Sequence, residues 1–347
     1  MQAVLKQTAA TGFTIAEVDP TRPGPGEVSL RVLAASVCGT DLHLYDWNPW
    51  ARSRVTLPRI IGHEMGGEVI ALGEGAGAGG DLTPGTRVAV ESHLVCGICT
   101  ECVIGLPHVC ANTRILGVDV DGVFRREVAV PVRNAWPTPK GMSAEKAAMM
   151  EPFGNAVHAC SRRPLGGEVV VVFGVGPIGC AAVAIARADH AARIIAVDPQ
   201  PYRLDLAERM GADVLIRADT GNLDQAISRA AGGPISCALE MSGSSSAVAA
   251  ATRVVRPGGW ISLLGLGDSD TTIDLNSNVI MKGLTMYGIV GRELPATWQH
   301  TMAYLTGPDA IDPSLLLTHR FALSDIDPAI ELIKSGRCGK VVLIPEE

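Results

Sequence analysis

The chain has 347 residues, a formal net charge of −7, 39 glycines, nine cysteines and only 4% aromatic residues. That length exceeds one ordinary core and points to two domains, while the lack of a long basic run argues against a nucleic-acid partner. No apolar run reaches membrane-spanning length, and the start from Met1 to Thr8 lacks a signal-peptide pattern, so reduced cysteines and a cytoplasmic location are expected.

From Gln2 to about Glu151 the chain reads as short strands, among them Glu27 to Leu33, Gly67 to Leu72 and Thr86 to Val90. Pro-Gly pairs at Pro23-Gly24, Pro25-Gly26 and Pro84-Gly85 separate them, as in a compact β-rich, barrel-like domain. Gly73 to Gly80 is a flexible loop by composition. Cys38, in Ser36-Val-Cys-Gly-Thr-Asp-Leu-His43, and the pair His63-Glu64, in Ile61 to Gly67, are candidate donors to a catalytic metal. Glu151 offers a further carboxylate, as third ligand or in exchange with water; these positions are remote, and spacing alone does not join them. Cys96, Cys99, Cys102 and Cys110 stand at C-x2-C-x2-C-x7-C, the spacing of a closed tetrahedral zinc site. An iron–sulfur cluster shares the first part of the pattern, but the last gap is seven residues and no proline follows. A disulfide reading needs an oxidising compartment.

Near Ser143, an expected helix N-cap, the texture changes. Glu168 to Phe173 is a continuous apolar run of the kind buried on both faces of a parallel sheet. Gly174-Val-Gly176-Pro177-Ile178-Gly179 follows at once and opens a helix read from Pro177 through Ala186, as a dinucleotide-binding turn does. Asp198 closes the strand-like Ile194 to Val197, nineteen positions after Gly179, where an acid binds ribose hydroxyls and repels a 2′-phosphate. NAD is therefore expected over NADP, although Arg203 could serve a 2′-phosphate or cover the adenine. Alternation continues through Tyr202 to Met210, Val214 to Ile216, Cys237 to Met241, Ala247 to Val255 and Trp260 to Leu264, a doubly wound α/β pattern. Thr271 to Ile289 reads as β-rich. The tail from about Trp298 ends in Lys340 to Ile344, a strand suited to return to the first domain. Cys160, Cys180, Cys237 and Cys338 read as small core residues.

Gly62-His-Glu-x2-Gly67-x5-Gly73 resembles the signature of the zinc-containing medium-chain alcohol dehydrogenases, and the cysteine lobe, the Gly174 turn and the domain order are similar throughout. Cys38 to Tyr45, Glu91 to Cys96, Glu151 to His158, Leu239 to Gly243, Gly288 to Glu293 and Thr318 to Phe321 narrow the resemblance to the L-threonine 3-dehydrogenases. The resemblance implies an α/β chain: a β-rich GroES-like catalytic domain over residues 1–154 with a zinc lobe at about 91–113, a Rossmann domain over 155–297 and a return over 298–347. It implies NAD and two zinc ions per subunit, the open one held by Cys38, His63 and either Glu64 or Glu151. Thr40 and His43 become a proton relay, and His93 either touches the substrate or braces the lobe. Leu264, Gly265 and Leu266 join Gly174, Gly176, Pro177, Ile178, Gly179, Asp198 and Arg203 as cofactor-binding residues. Arg292 or a backbone nest is a candidate for a substrate carboxylate. The implied partners are a small-molecule alcohol and further copies of the chain, as a homotetramer or dimer. The implied reaction is oxidation of L-threonine to 2-amino-3-oxobutanoate, with polyols, sugars and other amino alcohols as alternatives. Intact Cys38, His63 and glycines argue against a non-catalytic nucleotide-binding protein. One departure stands out: the family's Phe-Ala-Glu-Tyr is Phe124-Arg125-Arg126-Glu127 here.

Overall fold

Strands with one buried face and strands buried on both faces sort into different units. The computed structural model describes every residue except 78, 268 and 347; residue 78 lies within the glycine-rich segment, whose neighbours Glu74 to Gly77 form a turn. One unit comprises residues 1–151 together with the chain from Leu317 onward, and the other comprises Pro152–Leu316.

In the first unit the strand Glu27–Ser36 pairs antiparallel with Glu64–Leu72, Glu127–Pro131 and Lys340–Ile344. The outer members of this seven-stranded sheet are Arg87–Val90, Ala135–Pro137 and Leu317–Ala322. A smaller sheet orders Thr14–Glu17, Gln2–Lys6 and Arg59–Ile60. Val28, Leu30, Val69, Val88, Val128 and Phe124 fill the space inside, all almost wholly buried. This is the GroES-like, β-rich architecture. The chain's tail does return here: Val342 stands opposite Ser36. The sequence pattern set that return near Trp298, but the helix Ala296–Thr306 belongs to the second unit, with Tyr304 donating to Asp189 at 2.6 Å. An amphipathic helix shows that it has a core to face without showing which one.

The second unit is a six-stranded parallel sheet in the order Val214–Arg217, Arg193–Asp198, Val169–Phe173, Ile235–Glu240, Val255–Leu263, Thr285–Gly288. The first strand in sequence lies centrally and the order reverses around it, so the crevice for a dinucleotide opens at the ends of Val169–Phe173 and Ile235–Glu240. Val171, Phe173, Ile195 and Ile261 are buried between sheet and helices, which explains their unbroken apolar runs. Ser143 is an N-cap, accepting from Lys146 N at 3.2 Å. The helix after the glycines runs Pro177–Ala188. The β-rich reading of Thr271 to Ile289 holds at Thr285–Gly288, but Asn276–Ile280 is a π-helical turn, because Asp274 Oδ1 accepts from Ser277 N and favours a helical start. Among the described residues, no helix is long and apolar enough to cross a membrane.

Phe124 is fully buried in the first unit. Phe124→Ala is expected to lower that unit's unfolding free energy by about 3–5 kcal/mol, read from the urea midpoint. A loss much under 1 kcal/mol would mean the surrounding strands collapse onto the space.

Candidate active site

The turn that carries His63 is shaped by absent side chains. Gly62 has φ +86°, and a Cβ on it would stand 2.1 Å from the Phe124 ring. A Cβ on Gly122 would reach the Gly62 carbonyl oxygen at 2.2 Å. This close backbone stack fixes His63 at the head of Glu64–Leu72. Cys38 caps the helix Gly39–Asp46; its N–H donates to Asp41 Oδ2 at 2.8 Å, and its sulfur lies 3.8 Å from Thr40 Oγ1.

Ligand atoms of Cys38, His63 and Glu64 all lie within 4.8 Å of one another. His63 is buried and hydrogen-bonded to Cys38. Its Nδ1 has no partner and stands 3.9 Å from Asp41 Oδ1, which is also unpartnered. Burial disfavours the charged imidazole, yet the Cys38 charge and hydrogen bond, with Asp41 and Glu151 adding, hold its pKa up to about 10. Burial also pushes the Asp41 carboxyl up. The two glutamates differ. Lys340 Nζ contacts both Glu64 oxygens, at 2.7 and 2.6 Å, and Ser36 Oγ donates to the same carboxylate. Glu151 Oε1 accepts from Ser92 Oγ at 2.6 Å.

A thiol, an imidazole and a carboxylate are zinc donors for a site that keeps one position open. A carboxylate facing the unpartnered ring nitrogen is how proteins orient a metal-binding histidine. The residues fit the ion.

The relay candidates Thr40 and His43 are three positions apart on one helix and both half-buried. Asn48 Oδ1 caps the next helix by accepting from Ala51 N, so its amide nitrogen faces His43 Nδ1 at 2.8 Å. Neutral His43 therefore carries its proton on Nε2. His93 begins the short strand His93–Leu94; its N–H donates to Glu91 Oε1 at 2.8 Å and its carbonyl accepts from Asn134 Nδ2 at 2.9 Å.

In the cysteine lobe, the four sulfurs lie within 4.8 Å of one another. Cys110 Sγ is 3.5 Å from Cys96 Sγ and 3.7 Å from Cys99 Sγ. Tetrahedral Zn–S bonds of about 2.3 Å place sulfurs about 3.8 Å apart, so one ion fits where a cluster with its own sulfides does not. Backbone N–H groups of Cys96, Cys99 and Asn112 point at these sulfurs at 3.4 Å each, as thiolates require. All nine cysteines are free, and Cys160, Cys180, Cys237 and Cys338 are buried.

The three fingerprint glycines act differently. Gly174 has φ +79° and lies against Ser242; a Cβ on Gly179 would meet Gly174 O at 2.0 Å; Gly176 has nothing within 4 Å of its Cβ position. The first two are demanded by the protein, and the third leaves room for an approaching phosphate. Gly176 caps Pro177–Ala188, with Pro177 in the first turn and Ile178 after it. A cleft of about 480 Å³ is lined by Gly174, Gly176, Asp198, Arg203 and Ser242. Asp198 accepts from Val175 N at 2.9 Å and Gln200 N at 2.8 Å, leaving lone pairs for ribose hydroxyls. Arg203 Nη1 stands 3.9 Å from Asp198, and its Nε has no partner. Leu264, Gly265 and Leu266 do not line this cleft; Gly265 packs on Gly243, and Leu266 is exposed. Arg292 is buried beside Asn155, 3.2 Å from its Oδ1.

Sequence reasoning missed Asp41, Ser92 and Lys340. Asp41 had a signal, an acid three residues after the helix-capping Cys38. Lys340 had none, being remote in sequence.

A candidate open metal site and a nucleotide-binding fold in one chain are the equipment of a zinc-dependent alcohol dehydrogenase. Residues 177–306 match the zinc-binding dehydrogenase family and residues 24–140 the alcohol dehydrogenase GroES-like domain. The chain belongs to that family and is a zinc-dependent NAD(P) alcohol dehydrogenase. It is 42% identical to L-threonine 3-dehydrogenase of Thermococcus kodakarensis, over 100% of this chain and 99% of that one. A short chain alcohol dehydrogenase of Escherichia coli CFT073, solved with NADH, is 29% identical with a TM-score of 0.91 and 99% coverage of both chains. Galactitol-1-phosphate dehydrogenase of Escherichia coli is 27% identical with a TM-score of 0.89, covering 99% of this chain and 100% of that one.

Lys340→Met leaves the Glu64 charge buried alone and is expected to cost about 3–5 kcal/mol in guanidinium unfolding. Lys340→Met with Glu64→Gln should recover most of that loss. Equal stability of the single variant and the wild type would show that the pair carries no weight.

Proposed function

We propose that the enzyme oxidises L-threonine at its secondary hydroxyl, giving 2-amino-3-oxobutanoate and NADH. The observation that carries this reading is the end-to-end identity with the Thermococcus kodakarensis L-threonine 3-dehydrogenase. Cys38 and His63 would hold the open zinc, with a third ligand from Glu64, which offers an oxygen within 4.8 Å of their ligand atoms, or from Glu151. Cys96, Cys99, Cys102 and Cys110 hold the closed one. Zinc, when bound, supplies the Lewis acidity that brings a substrate hydroxyl's pKa toward neutrality. NAD supplies the hydride acceptor. Thr40 takes the hydroxyl proton outward and His43 receives it near solvent. Gly174, Gly176 and Gly179 seat the pyrophosphate, with Pro177 and Ile178 opening the helix beneath it. Asp198 holds the ribose and favours NAD over NADP, Arg203 covers the adenine, and Leu264, Gly265 and Leu266, which lie outside that cleft, meet the cofactor further along its length. His93 contacts the substrate and selects among alcohols. A sugar-alcohol substrate is the second reading, supported by the likeness to galactitol-1-phosphate dehydrogenase.

The assembly we propose is a homotetramer built from dimers. Thr285–Gly288 is the edge strand of the parallel sheet, and Leu275, Ile280, Met281 and Val290 near it in sequence are exposed. Unpaired edges and exposed apolar side chains pair across two-fold axes. Light scattering at micromolar concentration should return a dimer or tetramer; a monomer rejects the assembly.

NAD⁺ reduction followed by absorbance should be fastest with L-threonine across a panel that includes sorbitol, butanediol and galactitol 1-phosphate. An enzyme inactive on threonine and fast on a polyol rejects the substrate and leaves the hydride transfer standing. His93→Asn should keep zinc content and NAD⁺ affinity while lowering kcat and kcat/KM on threonine about 10- to 100-fold and reordering the other alcohols. Loss of zinc with uniform loss of activity would make His93 a brace of the lobe.

A further inference from the structure

We propose that the first unit carries a second ligand site, a cavity for an organic monoanion with an apolar body, anchored by Arg125. The cavity measures about 700 Å³ and is lined from the strands Gln2–Lys6, Arg59–Ile60 and Glu127–Pro131 and from Val18 to Arg22. Cys38, His63, His93 and Glu151 do not line it. Its volume falls in the range of about 300–1,000 Å³ that small-molecule sites occupy.

Arg125 is 7% exposed, and its Nε has no hydrogen-bond partner. Burial pushes the guanidinium's pKa down, and only the charge of Asp121 opposes the shift. Asp121 is already engaged, accepting from Arg59 Nη1 at 3.1 Å and Ile60 N at 3.2 Å. A buried guanidinium without a bonded counter-ion is costly, and a protein keeps one where an anion meets it.

The rest of the lining fixes the ligand's class. Leu5, Val18, Leu94, Leu116 and Val120 form an apolar wall. Arg22, Arg114 and Arg125 are balanced by Asp19, Glu27 and Asp121. Glu27 is spent on Gly24 N at 2.8 Å, and Asp19 is exposed. Arg22 and Arg114 are exposed, so a second negative charge on the ligand would meet no further buried cation. One carboxylate meeting the planar fork of Arg125, with its hydrocarbon part on the leucines and valines, uses both features.

The test uses the zinc-loaded enzyme with hexanoate, its neutral isostere hexanamide, and inorganic phosphate, at constant ionic strength in chloride. Calorimetry should show one hexanoate bound per chain, with hexanamide and phosphate each weaker by about tenfold or more. Hexanoate should also raise the melting temperature. Arg125→Met should melt at or above the wild type without ligand, since it removes an unpaired buried charge. It should bind hexanoate about tenfold or more weakly, with zinc content and NAD⁺ reduction unchanged. Equal hexanoate binding by wild type and Arg125→Met, or none by either, overturns the site. Phosphate binding as tight as hexanoate overturns the apolar part, and a lower melting point for ligand-free Arg125→Met overturns the claim that Arg125 awaits a partner.

Discussion

The first unit is organised by the buried ion pair of Glu64 and Lys340. Glu64 and Lys340 are 0% and 4% exposed at their side chains and 2.6 Å apart. Two charges so far from water are tolerated only when their geometry is nearly ideal. The sheet supplies that geometry: Ser36 stands opposite Glu64 on one side and opposite Val342 on the other, so three neighbouring strands bring Ser36, Glu64 and Lys340 to one place. A slip of one residue in any of the three would turn its side chains to the wrong face. Cys38 lies two residues beyond Ser36, and His63 immediately precedes Glu64. The pair therefore holds the two remote candidate metal donors in register as well as neutralising charge.

The nucleotide unit reaches similar precision through close backbone packing. Gly174 lies against Ser242, Gly179 against Gly174, and Gly265 and Gly267 against Gly243, each too near for a Cβ. The buried carboxylate of Glu240 ties this stack together, accepting from Ser242 N at 2.8 Å and Gly243 N at 3.1 Å. Turns after three strands thus lock into one surface, which a flat pyrophosphate needs. The glycine fingerprint is the visible part of that arrangement, while Gly243, Gly265 and Gly267 do the same work without a spaced motif.

What could be read from the sequence follows the distance between cooperating residues. The cysteine lobe and the Gly174 turn were plain because their parts lie within a few residues of one another and their spacing is their geometry. Cys38, His63 and Glu151 share no spacing, and their grouping came from resemblance; the structure then brings Cys38, His63 and Glu64 together. The strand Lys340–Ile344 was recognisable by its apolar run, but nothing local announced that its first residue pairs with Glu64. The same limit explains Ala296–Thr306, whose apolar face names no partner, and Thr271 to Ile289, where β-prone residues sit in a π-helical turn. Arg125 was visible as a departure from pattern, while its burial against a cavity was not.

The discontinuity of the first unit bears on how the molecule is made. Its sheet includes the strand Lys340–Ile344, whereas the nucleotide unit is complete once Leu316 has emerged. Domains of a growing chain fold as they leave the ribosome. Here the amino-terminal part is synthesised first, yet it waits for Lys340, still in the exit tunnel after the middle of the chain has folded. During that interval Glu64 has no cation and the strand Glu27–Ser36 has an open edge, a template for the wrong neighbour. A chain that ended before Lys340 would thus carry a sound nucleotide unit and an unfinished first sheet, a product for quality control to remove.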